Sequence, residues 1–351
     1  MTWDVPGAPV TFAPGPLPAD LLSRCRIERL TGVLAAAVAA GDVEIDTEER
    51  RALARAHVEV MNEALLLDDM LLEAVEVLDA VGVDHRVLKG TALAHLVHLE
   101  PSRREYGDID LLVRAELLDV AVTALVAAGA ERKLPALSSD FDRRFAKSVT
   151  LGWRHGTELD LHRTIAPGPF GLLVDPTDLW DRPSVLPIAG RRLLTLPLEL
   201  HLVHGAYHVA LGGGAPRLGN LRDVRLLMVE PGVDLDQVRD WAARWRGESP
   251  LAAGVAAAAA VGGDAGPLAD WVSGHVPGRR EERLLAAYGP AAGRFGRQAR
   301  ASLRVLGWRD RSAYARALLV PRRANLEARG RGRWAQLWRA RRRRGHAPPR
   351  G

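Results

Sequence analysis

Cysteine is almost missing from this sequence: Cys25 is the only one. That excludes an internal disulfide framework and any zinc site built on thiolates, and it fits a reducing cytoplasm. Lysine is nearly as rare. Lys89, Lys133 and Lys147 are the only three among 48 basic residues, so 48 − 3 leaves 45 arginines. Where arginine serves almost everywhere, a retained lysine carries more information than usual. No uninterrupted apolar run reaches the ~18 residues of a membrane-spanning helix. The opening stretch, MTWDVPGAPVTFAPGPLP, is rich in proline and lacks a basic segment leading into an apolar one. It does not read as a secretory signal.

Apolar residues make up 47% of 351 positions, enough for a sizeable core in two domains or one elaborated one. The net charge of +5 is unevenly spread. Residues 322–351 hold eleven Arg and one acid, Glu327, a net +10, so residues 1–321 carry 5 − 10 = −5. The basic character belongs to the tail and does not mark the whole chain as a nucleic-acid binder.

The pattern divides into an irregular leader (1–17), N-terminal helices (18–82), a mixed strand-and-helix core (83–196), a helical region (197–321) and a basic Arg/Trp tail (322–351). Residues 20–40 are helical in pattern. A long helix, or two, starts near Asp46 and Thr47, with an apolar stripe of Leu65, Leu66, Met70, Leu72, Val75 and Leu78, and ends at Gly82. Then come DHRVLKG (strand), TALAHLVHL (helix), GDIDLLVR (strand), a helix closed by Gly129, and two strands about a turn at His155–Gly156. After Pro197 the pattern is helical, with a Gly/Pro-rich break near 276–296. The fold expected is α+β: a small mixed sheet with packed helices, followed by a mainly helical C-terminal domain.

Asp108 and Asp110 stand two apart on one strand, so they share a face, with Cα atoms roughly 6–7 Å apart. Asp160, in TELDLHR, lies on a later strand. If the two strands are neighbours, three carboxylates converge. Two unit charges at ~6 Å repel by on the order of 3 kcal/mol at an effective dielectric of about 20, and a divalent cation reverses that sign. Oxygen ligands without cysteine select Mg²⁺ or Mn²⁺. Such a site is suited to in-line phosphoryl displacement. A triphosphate also needs backbone N–H donors. LKGT offers a strand end, Gly90 for close approach, and a helix start. Thr91 can add a hydroxyl, Lys89 a point charge, and Arg104 can reach the same anion. An Asp-x-Asp pair alone is ordinarily a solvated strand edge or a turn. The glycine loop before it and the Asp-bearing strand after it are what turn it into a metal–nucleotide site.

The segment VLKGTALAHLVHLEPSRREYGDIDLLV resembles the signature of bacterial nucleotidyltransferase-family proteins of the DNA polymerase beta superfamily. The likeness continues in ELDLHR and in HGAYH, which holds His204 and His208. Arg217, Leu218 and Asp223 extend it, and LGWRDRSAYARALLVP resembles a late helix of that family. The resemblance spans about residues 50–321. It implies a minimal polymerase-beta-type sheet with a helical companion. Asp108 and Asp110 would bind metal, and Asp160 would complete the site and help activate the acceptor. Gly90 and Thr91 match a Gly-Ser phosphate loop with Thr for Ser. The stretch from Gly90 to Asp108 is longer than in the smallest members, leaving 100–107 as a loop that moves or carries substrate contacts.

Other features keep two readings each. His201, His204 and His208 lie at i, i+3 and i+7. They make a zinc set or, the preferred reading, a helix face lining the cleft. His162 shares the face of Asp160, behind the site or against the acceptor. Arg217, Arg222, Asp223 and Arg225 face the cleft or pair along their helix. In the tail, RGRWAQLWRARRRRG suits RNA, an anionic membrane, a partner helix, or a solvated terminus. The −5 elsewhere argues against a nucleic-acid-tracking surface.

The function expected is Mg²⁺-dependent transfer of a nucleoside monophosphate from an NTP to a hydroxyl or phosphate of a small-molecule or peptide/protein acceptor. Three rivals stand beside it: an inactive nucleotide-binding protein, a toxin–antitoxin-type transferase acting on tRNA or protein, and a helical interaction protein whose acids are a solvated edge.

Overall fold

The structure is a computed structural model that describes residues 20–262, 266–289 and 292–328. The expected leader, and the tail from residue 329, lie outside these residues. The first helical pattern is broken in two. Arg29, in the left-handed region (φ 59°, ψ 48°), separates α1 (Leu21–Glu28) from α2 (Thr31–Ala39). Asp46 then caps α3 (Thr47–Ala80), accepting from the Glu48 and Glu49 amides while the Glu49 carboxylate accepts from the Asp46 amide. The helix is one unbroken rod. Its buried face departs from the expected stripe: Met70, Val75 and Leu78 are inside with Leu67, Leu71 and Ala74, but Leu65 and Leu66 are 66% and 55% exposed. The apolar run LLL at 65–67 carries two phases, and the sheet accepts only the one led by Leu67.

Among the described residues the sheet has seven strands. They are β1 (His85–Val87), β2 (Asp108–Val113), β3 (Glu131–Arg132), β4 (Ser148–Gly152), β5 (Glu158–His162), β6 (Ser184–Ile188) and β7 (Arg191–Thr195), in the order β3-β4-β5-β2-β1-β7-β6. β2 runs parallel to β5, and β1 parallel to β7; the other pairings are antiparallel. The β4–β5 hairpin turns at His155–Gly156, both at positive φ. The β6–β7 hairpin, turning at Ala189–Gly190, is an addition to the expected topology.

Between the strands lie α4 (Lys89–Leu96), α5 (Leu118–Ala127) and α6 (Phe141–Arg144). The inner faces of α3 and α5 and the sheet share one core, including Leu71, Leu78, Ile109, Leu111, Leu125 and Leu159.

From residue 198 the described chain has no strand. It forms α7 (Leu198–Leu211), α8 (Leu218–Val229), α9 (Leu235–Arg244), α10 (Glu248–Ala259), α11 (Gly266–Gly274), α12 (Arg279–Leu285), α13 (Arg294–Val305), α14 (Trp308–Leu319) and α15 (Arg323–Ala328). Helix α12 corrects the expected break at 276–296, which is only partly irregular. α7 is the hub. A Cβ on Gly254 of α10 would lie 2.2 Å from the Ala206 carbonyl oxygen, so the two backbones touch through glycine. Tyr207, Val224, Val238, Trp241 and Leu251 fill the core around it, which reaches Leu88 and Leu112 of the sheet region. The helical region therefore packs against the ends of β1 and β2, beside the acidic strand.

Candidate active site

The parallel register of β2 and β5 pairs Asp108 with Glu158, Asp110 with Asp160 and Leu112 with His162. Because strand side chains alternate, Asp108, Asp110, Asp160 and His162 project from one face. One carboxylate oxygen each from Asp110 and Asp160 and one ring nitrogen of His162 lie within 4.8 Å of one another. Two carboxylates and an imidazole so grouped could hold a divalent cation.

These carboxylates are not bare. The Leu88 amide donates to the Asp110 carbonyl (2.9 Å), so the next residue emerges beside that strand. Lys89, at a φ of 44°, donates its ammonium to Asp110 Oδ1 at 2.7 Å. His162 donates from Nε2 to the same oxygen at 2.6 Å. Burial works to raise the Asp110 pKa, but the charge of Lys89 and the hydrogen bonds from His162 and Lys89 outweigh it and hold the carboxyl well below its usual range. His162 is itself pushed down, first by burial and then by Lys89 and Lys147. Asp108 behaves oppositely. Burial, then the charge of Asp110, raise its pKa against the pull of Lys89 and Arg29. Its carboxylate accepts no side-chain hydrogen bond among the described residues. Asp160 accepts from the Thr150 hydroxyl across the β4–β5 ladder.

The first turn of α4 carries no side-chain cap, so its amide donors are uncommitted to one. Lys89 and Gly90 line the cavity in front of it. Gly90 is required by packing as well, since a Cβ there would sit 2.5 Å from Tyr106 Cβ. Thr91 departs from its expected place. It is 2% exposed, it does not line the cavity, and its hydroxyl engages Tyr106, whose own hydroxyl donates to Asp68 (2.7 Å).

The cavity measures about 190 Å³, far above the ~10–15 Å³ that one water needs. Asp108, Asp110, Arg104, His201, His204, His208, Arg217 and Asp223 join Lys89 and Gly90 in its wall; Asp160 and His162 are not part of it, His162 being buried and Asp160 partly exposed. His201 donates from Nε2 to Thr195 Oγ1 (2.8 Å), whose hydroxyl is bonded to the Val87 carbonyl; burial lowers this histidine to about 4. His204 is 1% exposed, and neither ring nitrogen has a hydrogen-bond partner among the described residues. Its burial, and then the charge of Lys89, hold its pKa well down. His208 opens toward solvent.

Arg104 reaches no open anion. It is 5% exposed and its Nε donates to both oxygens of Asp223, at 2.8 and 2.7 Å. His98 Nε2 donates to Asp223 Oδ1 (2.9 Å), and Arg222 donates to His98 Nδ1 (2.8 Å) and to the Arg103 carbonyl (3.1 Å). An arginine only donates, so His98 Nδ1 must accept, which fixes its proton on Nε2. Glu105 accepts from the Thr31 amide. Four consecutive residues, Arg103 to Tyr106, are thus tied to α8, α2 and α3, and the loop at 100–107 is a fastened bridge.

Two residues outside the expected set belong here. Lys147, just before β4, is drawn down to about 8 by burial, then by Lys89, against the opposite pull of Asp110, Asp160 and Asp108. The scarcity of lysine is the signal that could have found it. Arg29 enters the cavity wall from α1, and no local pattern marked it.

The family model described as "Uncharacterised nucleotidyltransferase" matches residues 17–263. No curated protein matches the chain. Among solved structures, the antibiotic-resistance factor ANT(2'')-Ia is 14% identical, with a TM-score of 0.38 over 52% of this chain and 91% of its own. The lincosamide antibiotic adenylyltransferase LnuA, solved with lincomycin bound, is 16% identical, with a TM-score of 0.31 over 45% of this chain and 94% of its own. An antigenic nucleotidyltransferase-like protein from Paracoccidioides brasiliensis is 15% identical, with a TM-score of 0.31 over 54% of this chain and 89% of its own.

Proposed function

The chain belongs to the uncharacterised nucleotidyltransferase family, and from that premise we propose that it transfers a nucleoside monophosphate from an NTP to an acceptor hydroxyl or phosphate in a divalent-metal-dependent reaction. The observation that carries this reading is the Asp110–Asp160 register, with Asp108 on the same face and the uncapped first turn of α4 alongside. The acceptor oxygen attacks the α-phosphorus, the bond from that phosphorus to the β-phosphate oxygen breaks, pyrophosphate leaves, and the acceptor proton passes to a carboxylate of the site.

The chain's own groups have distinct parts in this reading. Asp108, Asp110 and Asp160 would hold the metal, with His162 steadying Asp110 through its hydrogen bond. A Mg²⁺ or Mn²⁺ ion held there supplies Lewis-acid stabilisation and acidifies the acceptor hydroxyl. The amides of α4 and the Lys89 ammonium receive phosphate oxygens. Asp160, which accepts from the Thr150 hydroxyl, is assigned to orient the acceptor and take its proton. His204 lines the same cavity, with both ring nitrogens buried. The acceptor is a small molecule or a peptide/protein side chain; the net −5 of residues 1–321 disfavours a nucleic acid.

Thermal midpoints with each NTP, with and without Mg²⁺ or Mn²⁺, test this. A ligand at 100 times its Kd adds about 2.7 kcal/mol to the folded state. The shift is expected to require metal, to vanish in Asp108→Asn, and to accompany pyrophosphate release once an acceptor is supplied. A folded protein that shifts with no nucleotide defeats the proposal.

A further inference from the structure

We propose that Arg29 and Arg217 form an oxyanion-binding subsite at the mouth of this cavity, taking a phosphate or carboxylate group between their guanidinium forks. The proposal rests on the transferase reading only for the source of that anion, which is either the terminal phosphates of the NTP or an acidic group on the acceptor.

Three separate segments place these side chains together. The end of α1 is held against the start of α8 by Glu28, whose carboxylate accepts from the Leu218 amide at 2.7 Å. Gly219 permits the approach, since a Cβ there would lie 3.0 Å from the Glu28 carbonyl oxygen and 3.2 Å from that of Arg29. The Thr31 amide, bonded to Glu105, fixes the start of α2 to the loop before β2. Arg29 therefore sits between that loop and Arg217, the residue preceding α8. A Cβ on Gly107 would be 3.6 Å from Arg29 Nη2, which locates the guanidinium next to Asp108.

The charge around them is unbalanced. Arg104 is already committed to Asp223, and Glu105 to Thr31. Neither Arg29 nor Arg217 is hydrogen-bonded to a carboxylate among the described residues, yet both line the same cavity. Arg29 is lowered from its ordinary pKa by burial, then by the positive charges of Arg217 and Arg104, with Asp108 and Glu105 only partly offsetting them. Like charges brought together and only partly offset leave room for an anion, and two guanidinium groups match phosphate or carboxylate geometry.

The backbone gives independent support. The Arg29 amide donates to the Arg26 carbonyl and the Leu30 amide to the Cys25 carbonyl (2.7 Å). That helix ending favours glycine, because its left-handed residue strains any side chain. A strained arginine held at a cavity mouth is what a ligand contact would retain.

Pyrophosphate and inorganic phosphate, titrated calorimetrically into the full chain in EDTA, are the probes, with Arg29→Gly, Arg217→Gln and Arg29→Lys as variants. Pyrophosphate should bind the wild type and lose at least tenfold in affinity in Arg29→Gly and in Arg217→Gln, with Arg29→Lys intermediate. Arg29→Gly should keep or raise the unliganded thermal midpoint, a result that a merely structural role would reverse. In a parallel titration with Mg²⁺ in place of EDTA, where the NTP analogue is expected to bind, loss of the Arg29- and Arg217-dependent part of pyrophosphate binding under a saturating non-hydrolysable NTP analogue assigns the subsite to the NTP tail; its persistence assigns the subsite to the acceptor. Equal binding in all variants, or no binding of either anion to the folded wild type, overturns the proposal. Asp108→Asn separates the two ideas, since it should abolish metal-dependent NTP binding and leave metal-free pyrophosphate binding in place.

Discussion

Single residues divide here into those that hold the site and those that burden it. Asp223 is fully buried and carries Arg104 and His98; burial raises its pKa, but Arg104 and then His98 hold it below the usual range. Asp223→Asn leaves a buried guanidinium without its counterion, a loss of about 3–5 kcal/mol, to be read as a lower midpoint in urea unfolding. Asp108 is the reverse case. Its raised pKa means that the fold disfavours its ionised form at neutral pH, so Asp108→Asn should leave stability unchanged or raise it slightly while nucleotide binding is lost. Equal unfolding midpoints for the two variants would contradict the assignment of opposite roles. The acids, Lys89 and Gly90 are legible in the sequence because their spacing encodes one strand face and one helix start. Thr91 misleads because a phosphate-loop pattern does not reveal that Tyr106 covers its hydroxyl. Arg29 is illegible because its place depends on a contact with α8 nearly two hundred residues away.

At the scale of elements, glycine decides how closely parts approach. A Cβ on Gly32 would lie 2.1 Å from the Ser102 carbonyl oxygen, so α2 rests on the loop that carries Arg104. Gly32→Ala should lower the thermal midpoint, and it should weaken pyrophosphate binding too, because it pushes α2 away from that loop. Gly296, early in α13, has nothing within 4 Å of its missing Cβ. There alanine should stabilise by about 0.5–1 kcal/mol through helix propensity alone and leave ligand binding unchanged. If the two substitutions behave alike, the contact of α2 with the loop is not what matters. The same scale explains the missed hairpin. In β6 and β7, Leu186, Ile188 and Leu193 point inward, but exposed Val185 and Leu194 blur the alternation and Pro187 argues against a strand. Proline is tolerated because β6 is an edge strand, and edge position is not written in local sequence.

At the scale of the whole molecule, the site is a seam among the N-terminal helices, the sheet and the helical region, and the seam is lined with histidines kept neutral by burial. His98, His201 and His204 all have lowered pKa values. Such a group binds its proton more weakly in the fold than in the unfolded chain. Stability is therefore fully present above the unfolded value of 6.5 and declines as pH falls toward the folded value. For His201 the window runs from 6.5 to about 4, and a shift of that size corresponds to about 3 kcal/mol at its acid end. Thermal midpoints from pH 7 down to 4 should fall in that interval, ahead of general carboxylate protonation. His201→Gln keeps an N–H donor for Thr195 and has no proton to gain, so its profile should be shallower than the wild type between pH 6.5 and 4. A profile of unchanged slope would mean that His201 is free to titrate in the fold, and that α7 does not close over the sheet as tightly as its contacts with Thr195 and Gly254 require.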